Sequence, residues 1–113
     1  MKTWICTAHG IFSRGQAAMP VEKEGHAIIK IRRIGICGTD LHAFQGTQPY
    51  FSYPRILGHE LSGTLLSEVD GFTVGDAVTF IPYFHCGTCI ACRSGKPNCC
   101  VNINVFGVHI DGG

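Results

Sequence analysis

The sequence has little charge and no excess of either sign. Only 15% of its 113 residues are charged, nine Lys and Arg against eight Asp and Glu, and the longest basic cluster is the pair Arg32-Arg33. Proteins that bind nucleic acid or an anionic membrane concentrate Lys and Arg on one face or in one run. The composition therefore predicts neither partner, and its 45% of hydrophobic residues is typical of one compact globular domain.

The sequence also lacks a long apolar run. No stretch approaches the roughly 18 consecutive apolar residues of a transmembrane helix, and His9-Gly10 interrupts the N-terminal region where a signal peptide would have its apolar core. These absences predict a cytoplasmic protein. Because the cytosol keeps thiols reduced, the seven cysteines are predicted to bind metal rather than to form disulfides.

Glycine, proline and β-branched residues alternate along the chain, which predicts short strands joined by turns. A bulge is expected near Arg32-Arg33, where the alternation of apolar residues slips. Helix signals are weak, and the best is a short helix that begins with Thr39 as N-cap and runs to Phe44. The candidate strands are Trp4–Thr7, Ala27–Ile34, Leu61–Val69, Ala77–Pro82 and Ile103–Val108.

Four cysteines follow one another at metal-ligand spacing in a segment with little apolar periodicity. The spacing is Cys86-x2-Cys89-x2-Cys92-x7-Cys100. Such a segment buries too little apolar surface to offset its ordering entropy, and a tetrahedral Zn²⁺ supplies the missing free energy. A closed site of four sulfurs has no open coordination position, so the predicted zinc is structural.

Several alternatives stay open for this segment. A [4Fe–4S] cluster also uses C-x2-C-x2-C, but its usual fourth cysteine lies three residues further on and precedes a proline, whereas Cys92 is followed by Arg93. A disulfide pair is the other alternative. Either Cys99 or Cys100 can be the fourth ligand on spacing alone, and His85 is a further candidate donor.

A second group of metal ligands is separated in sequence. Cys37 is separated by 21 intervening residues from the pair His59-Glu60. These three donors match a catalytic zinc, which needs two or three protein ligands and one open position. Read singly, they are a buried small cysteine, a loop histidine and a solvated carboxylate. Nearby glycines favour the metal hypothesis, because they let the backbone pass close to another group: Gly35, Gly38 and Gly58.

Two residues that follow Cys37 suit proton transfer. Thr39 offers a hydroxyl beside a zinc-bound alcohol, and His42 offers an imidazole that titrates near neutrality. The spacing therefore suggests Thr39 and His42 as a relay that carries the proton of the alcohol outward.

Four motifs, in order, resemble the zinc-containing medium-chain alcohol and polyol dehydrogenases. They are Gly35-Ile-Cys-Gly-Thr-Asp-Leu-His42, Gly58-His-Glu-Leu-Ser-Gly63, Val74-Gly-Asp-Ala-Val78, and the cysteine segment from Cys86 to Cys100. The stretch from Gln48 to Pro54 and the residues from Gly107 to Gly113 look like the sorbitol and galactonate dehydrogenase branch.

The resemblance implies a fold and assigns the ligands. It implies a mainly β, partly open barrel of GroES-like type over residues 1–113, with short helices and a protruding structural zinc lobe at residues 83–102. It implies that Cys37 and His59 bind the catalytic zinc with Glu60 as an alternating or water-mediated ligand, and that Thr39 and His42 form the proton relay. It also selects Cys100 over Cys99.

One feature of the family is missing from the sequence. No G-x-G-x-x-G follows a candidate strand, so no residues are expected to hold the pyrophosphate of NAD or NADP. The resemblance places a Rossmann domain after this one, and the chain is expected to be the catalytic domain of a longer, homo-oligomeric enzyme that oxidises a polyol or sugar acid. The alternative is a non-enzymatic binding module stabilised by one zinc.

Overall fold

The computed structural model describes all of residues 1–113, and it confirms the prediction of a mainly β fold with short helices. The elements are β1 (Lys2–Ala8), β2 (Ile11–Gln16), β3 (Ile29–Gly35), α1 (Gly38–Phe44), β4 (Glu60–Leu65), β5 (Ala77–Thr79), β6 (Tyr83–Phe84), α2 (Ile90–Arg93) and β7 (Asn104–Val105), with a 3₁₀ turn at Pro97–Cys99.

The strands form three small antiparallel sheets, in the orders β1-β2, β3-β4-β5 and β6-β7. The hairpin β1-β2 is joined to the rest by a bridge between Cys6 and Arg55, whose backbone groups exchange hydrogen bonds of 2.8 and 3.0 Å. None of the three sheets closes on itself, so the barrel is open. No helix in the chain is both long enough and apolar enough to cross a membrane.

Strand β3 contains the predicted bulge. Ile31 pairs with Gly63, but Arg33 pairs with Ser62, so Arg32 has no residue opposite it on β4. After the bulge the register continues to Gly35 opposite Glu60. Because a bulge bends its strand, the end of β3 and the start of β4 together deliver the chain to the residues of the candidate catalytic site.

The small core lies against one face of β4. Leu61, Gly63 and Leu65 are buried while Glu60 on the opposite face is exposed, as expected for a strand covered on one side. Only ten residues are buried, and the apolar ones are Cys6, Ala43, Leu61, Leu65, Cys100 and Val108. The alternation therefore turns the carboxylate of Glu60 away from the core.

Several predicted strands end earlier than expected. The strand predicted as Leu61–Val69 stops at Leu65, since Val69 already pairs with Phe72 in a tight turn. The strands predicted at Ala77–Pro82 and Ile103–Val108 are reduced to Ala77–Thr79 and Asn104–Val105. Local β propensity identified these segments, but pairing partners decide where a strand ends.

Four short elements were not predicted, namely β2, β6, α2 and the 3₁₀ turn, and one helix boundary was wrong. Strand Ile11–Gln16 escapes prediction because Ile11 and Phe12 are both exposed and the segment does not alternate cleanly. The helix Ile90–Arg93 lies inside the cysteine segment, where apolar periodicity is absent. The N-cap of α1 is Cys37 rather than Thr39, which lies inside the helix.

Candidate functional site

Cys37 is held at the start of helix α1. As N-cap residue it has an extended backbone (φ −93°, ψ 159°), and its carbonyl oxygen accepts the N–H of Asp40 at 3.0 Å. Asp40 returns the contact, because its Oδ2 accepts the N–H of Cys37 at 2.9 Å. An acidic residue three positions after the N-cap is typical of a capping box, and here it fixes the backbone that carries the Cys37 thiol.

His59 and Glu60 follow a glycine that no other residue replaces easily. Gly58 is buried with φ +104°, and a Cβ at this position would lie 2.9 Å from the Ile34 side chain and 3.0 Å from the Gly113 carbonyl oxygen. A side chain would therefore be both strained and crowded. Gly58 lets the chain enter β4 with His59 and Glu60 beside Cys37.

Asp40 joins the two ligand segments. Its side chain is buried, and its Oδ1 accepts the N–H of Gly58 at 3.3 Å while Oδ2 accepts that of Cys37. The same Oδ1 lies 3.5 Å from Nδ1 of His59, which is buried and has no hydrogen-bond partner. With Nδ1 directed at a carboxylate, Nε2 is the nitrogen left for a metal, as in most metal-binding histidines.

The structure brings Cys37, His59 and Glu60 together. Their ligand atoms all lie within 4.8 Å of one another, with Cys37 and His59 half-buried and Glu60 exposed. Gly35 makes room for the cluster, since a Cβ there would collide with the Glu60 carboxylate. Sulfur, imidazole and carboxylate are donors that Zn²⁺ prefers, and three of them leave one coordination position for substrate, so the residues fit a catalytic zinc.

The two relay candidates are placed differently. Thr39 Oγ1 lies 3.8 Å from the sulfur of Cys37, one of the candidate metal ligands. His42 is exposed, and its Nδ1 is 3.0 Å from the hydroxyl of Thr47. No hydrogen bond joins Thr39 to His42 directly, and Thr47 is a partner that the sequence did not reveal.

The four cysteines of the lobe also converge. The sulfurs of Cys86, Cys89, Cys92 and Cys100 lie within 4.8 Å of one another, and two pairs, Cys89 with Cys92 and Cys86 with Cys100, are 3.5 Å apart. Zn–S bonds of about 2.3 Å in a tetrahedron require sulfurs about 3.8 Å apart. The cluster therefore fits Zn²⁺ with only small adjustments.

The other two donor candidates of this segment lie outside the cluster. Cys99 is exposed, whereas Cys100 is buried with its sulfur among the other three. His85 is also exposed, and its Nδ1 is 3.8 Å from the Cys92 sulfur. The structure thus groups Cys100, rather than its neighbour, with the rest, and all seven cysteines are free thiols.

Hydrogen bonds and burial give the thiols of the lobe different pKa values. The Thr88 hydroxyl, followed by backbone N–H groups, lowers the pKa of Cys86 to about 5. Backbone N–H groups also lower the pKa of Cys89, while burial, followed by the neighbouring thiol of Cys89, raises the pKa of Cys92 to about 12. The pKa values of the thiols in the lobe are therefore unequal, lowered at Cys86 and raised at Cys92.

Two grooves lie beside the candidate catalytic site, and Gly35 lines both. The apolar groove, of about 550 Å³, is lined by residues that include Phe12, Ile34, Ile36, Leu41, Phe44 and Leu57. The polar groove, of about 470 Å³, is lined by residues that include Arg33, His59, Glu60, Ser62 and Thr79. Two of the three candidate ligands therefore face the polar groove.

The sequence is similar to known dehydrogenases along its whole length. It is 48% identical to L-galactonate-5-dehydrogenase of Escherichia coli (strain K12) in an alignment 116 residues long, gaps included, which covers 100% of this chain and 34% of that protein. The chain spans about a third of the length of the relatives that it matches.

Solved structures agree with the sequence comparison. The crystal structure of galactitol-1-phosphate dehydrogenase from Escherichia coli matches with a TM-score of 0.87 and 32% identity, over 100% of this chain and 34% of that one. A short chain alcohol dehydrogenase from E. coli CFT073 complexed with NADH matches with a TM-score of 0.86 and 35% identity, over the same shares. Residues 23–113 match the family of alcohol dehydrogenase GroES-like domains, and the chain belongs to that family.

Proposed function

We propose that residues 1–113 form the catalytic domain of a zinc-dependent dehydrogenase, which oxidises a secondary alcohol of a polyol or sugar acid with NAD or NADP bound by a further domain. The observation that carries this proposal is the convergence of Cys37, His59 and Glu60 around the buried Asp40. A structural role alone requires no open three-donor site, and the lobe of four cysteines already provides a closed one.

In this proposal Cys37, His59 and Glu60 hold the catalytic zinc, and Cys86, Cys89, Cys92 and Cys100 hold the structural zinc. A zinc ion in the open site supplies a Lewis acid that lowers the pKa of an alcohol bound to it. Asp40 orients the imidazole of His59 and fixes the backbone of Cys37. Glu60 would be the outermost of the three ligands, because it is exposed whereas Cys37 and His59 are half-buried.

Thr39 and His42 move the proton in the proposed reaction. Thr39 Oγ1, next to the Cys37 sulfur, accepts the proton of the alcohol, and His42 passes it to solvent. The contact between His42 Nδ1 and Thr47 orients the ring. Because no direct hydrogen bond joins Thr39 to His42, the proton passes between them through a water molecule or through a hydroxyl group of a bound molecule.

The relatives support the substrate class and the cofactor. L-galactonate is named as the substrate of one and galactitol-1-phosphate as that of another, while a third was solved with NADH. Free cysteines and the even charge balance support a cytoplasmic enzyme that binds no nucleic acid or membrane. Homo-oligomer formation is proposed for the longer enzyme.

Metal analysis tests the function. We expect the chain to bind two Zn²⁺ or Co²⁺ ions, tightly in the lobe and more weakly at the open site, because affinity rises with the number of ligands. Cys37→Ser should remove the second ion and its thiolate-to-cobalt absorption band while the lobe stays loaded. A Co²⁺ titration that is identical in wild type and Cys37→Ser would contradict the proposal.

The second candidate function is a non-enzymatic module stabilised by zinc. The complete set of four sulfurs in the lobe favours it, since that site needs nothing from the rest of the chain. It predicts one metal ion per chain, so the same titration separates the two. In either case the 113-residue chain should oxidise no polyol with NAD⁺, and measurable turnover would show that our assignment of the cofactor to a further domain is wrong.

A further inference from the structure

A positively charged side chain lies beside the candidate metal ligands in the polar groove. Arg33 lines it together with His59 and Glu60. Its position follows from the bulge of β3, which leaves Arg32 unpaired and sets Arg33 opposite Ser62. Without the bulge, Arg33 would lie opposite Leu61, on the face of β4 that packs into the core, so the bulge places Arg33 on the face of the groove.

Arg33 has no acidic partner within the chain. The two ion pairs join Arg55 to Asp111 and His59 to Asp40. The only hydrogen bond of the Arg33 side chain runs from Nη1 to the carbonyl oxygen of Arg32, at 3.0 Å. A guanidinium has five N–H donors in a planar fork that matches a carboxylate, so most of this fork is open to a ligand.

The other groups in the groove suit a polyhydroxylated ligand. Ser62 is half-buried and its hydroxyl makes no hydrogen bond within the chain, while the hydroxyl of Thr79 donates to the carbonyl oxygen of Leu61 at 2.9 Å and remains free to accept. These groups complement those of a sugar acid. The guanidinium suits its carboxylate, the two hydroxyl groups suit its hydroxyl groups, and the candidate metal site suits the alcohol to be oxidised.

We propose that Arg33 is a specificity-determining residue that binds the carboxylate of a sugar acid while an alcohol of the same molecule lies at the metal site. Ser62 and Thr79 bind further hydroxyl groups of the same sugar acid. The proposal rests on the proposed function and narrows it to charged substrates, because a neutral polyol forms no ion pair with the guanidinium. The protein therefore prefers polyhydroxy carboxylates to neutral polyols of the same length.

The rival role for Arg33 is internal. Glu60 lines the same groove, and a guanidinium that only held this carboxylate in place would affect charged and neutral ligands equally. The comparison of a charged with a neutral ligand separates the two roles.

The test uses the full 113-residue chain loaded with zinc and two ligands of equal length, L-galactonate and galactitol. Dissociation constants are measured by NMR titration, which detects millimolar binding, with the Nε–H resonance of Arg33 as a local probe. We expect galactonate to bind about tenfold more tightly than galactitol, since charge-assisted hydrogen bonds are the stronger ones. Arg33→Gln should abolish this preference, because it weakens the binding of galactonate much more than that of galactitol.

Arg32→Gln is the matched control. Arg32 is the neighbouring arginine, its Nε donates to Thr64 at 3.3 Å, and it does not line the groove. Its substitution should leave the preference intact. Equal affinity of the wild-type chain for the two ligands, no binding of galactonate, or equal losses of both ligands in Arg33→Gln would each overturn the proposal.

Failure of this proposal is distinguishable from failure of the proposed function. The cobalt absorption band that depends on Cys37 reports whether the open site holds metal, whatever ligand is present. If the band is present and galactonate is not preferred, only the role of Arg33 is wrong. If the band is absent from the wild-type chain, the proposed function is wrong, and the role of Arg33 that rests on it is wrong as well.

Discussion

The cysteine lobe and the Cys37–His59–Glu60 cluster reach the same kind of donor geometry by opposite routes. The lobe takes its four sulfurs from one segment, so proximity in sequence brings them together and little else in the fold contributes. The other cluster takes its donors from two segments, and a bulge, a helix cap, a glycine and a buried carboxylate align them. We therefore expect that metal is required to order the lobe, whereas the scaffold orders the Cys37–His59–Glu60 cluster.

The largest expected effect tests the dependence of the lobe on metal. Cys92→Ser removes one of four sulfurs, and the zinc affinity of the lobe should fall by roughly a hundredfold or more. Amide hydrogen exchange should become fast across residues 83–102 and stay slow in β3 and β4. Cys99→Ser, at an exposed cysteine outside the cluster, should change neither quantity. Retained zinc affinity in Cys92→Ser would show that another donor holds the metal.

The next effect tests the alignment of the catalytic cluster by Asp40. Asp40→Asn keeps the size of the side chain but loses the charge that faces His59, so metal affinity at the open site should fall by about 10- to 100-fold. The lobe should keep its metal, which a Co²⁺ titration resolves. Asp76→Asn is the control, because Asp76 accepts a single N–H, that of Thr73, in an exposed turn. Equal metal affinities in both variants would contradict the role of Asp40.

A smaller effect separates backbone strain from crowding at Gly58. Gly58→Ala should lower the free energy of unfolding by about 1–3 kcal/mol, measured by urea denaturation. Gly25→Ala provides the control, since Gly25 also has positive φ (+73°) but would place its Cβ in open space. The loss in Gly25→Ala should be clearly smaller. Equal losses would mean that strain alone, and not the contact with Ile34, accounts for the glycine.

The smallest effect concerns pH and the thiol of Cys86. Thr88→Val removes the hydroxyl that lowers the pKa of Cys86 to about 5, so in the variant the thiol gains its proton at a higher pH. Because only the thiolate binds zinc, affinity should fall severalfold at pH 6 and hardly change at pH 8. Thr88→Ser keeps the hydroxyl and should behave as wild type. Chelator competition at both pH values gives the comparison, and an equal loss at both would exclude the pKa as the cause.

The two clusters also differ in how far the sequence predicts them. The lobe is visible in spacing alone, because its ligands are local. Cys37 and the pair His59-Glu60 required the glycines and the family resemblance, since no local pattern reports that 21 residues of chain fold back on themselves. The bulge was predictable from the slip in apolar alternation near Arg32-Arg33, and the structure confirms it.

Other features lay beyond the reach of the sequence for a physical reason. The role of Asp40 depends on its carboxylate bridging the N–H groups of Cys37 and Gly58, which only tertiary structure brings together. Thr47 beside His42 is a contact of the same kind. Strand ends were misplaced where a turn, such as that from Val69 to Phe72, closed before the β-forming residues ran out.

Gly35 shows how little material separates two chemically different compartments. This one residue borders both the apolar and the polar groove, and its missing side chain is the space into which the Glu60 carboxylate fits. A methyl group added there would collide with the side chain of Glu60, a candidate metal ligand. Substitutions can therefore reshape either groove at its other lining residues, but Gly35 cannot take a larger side chain without displacing Glu60.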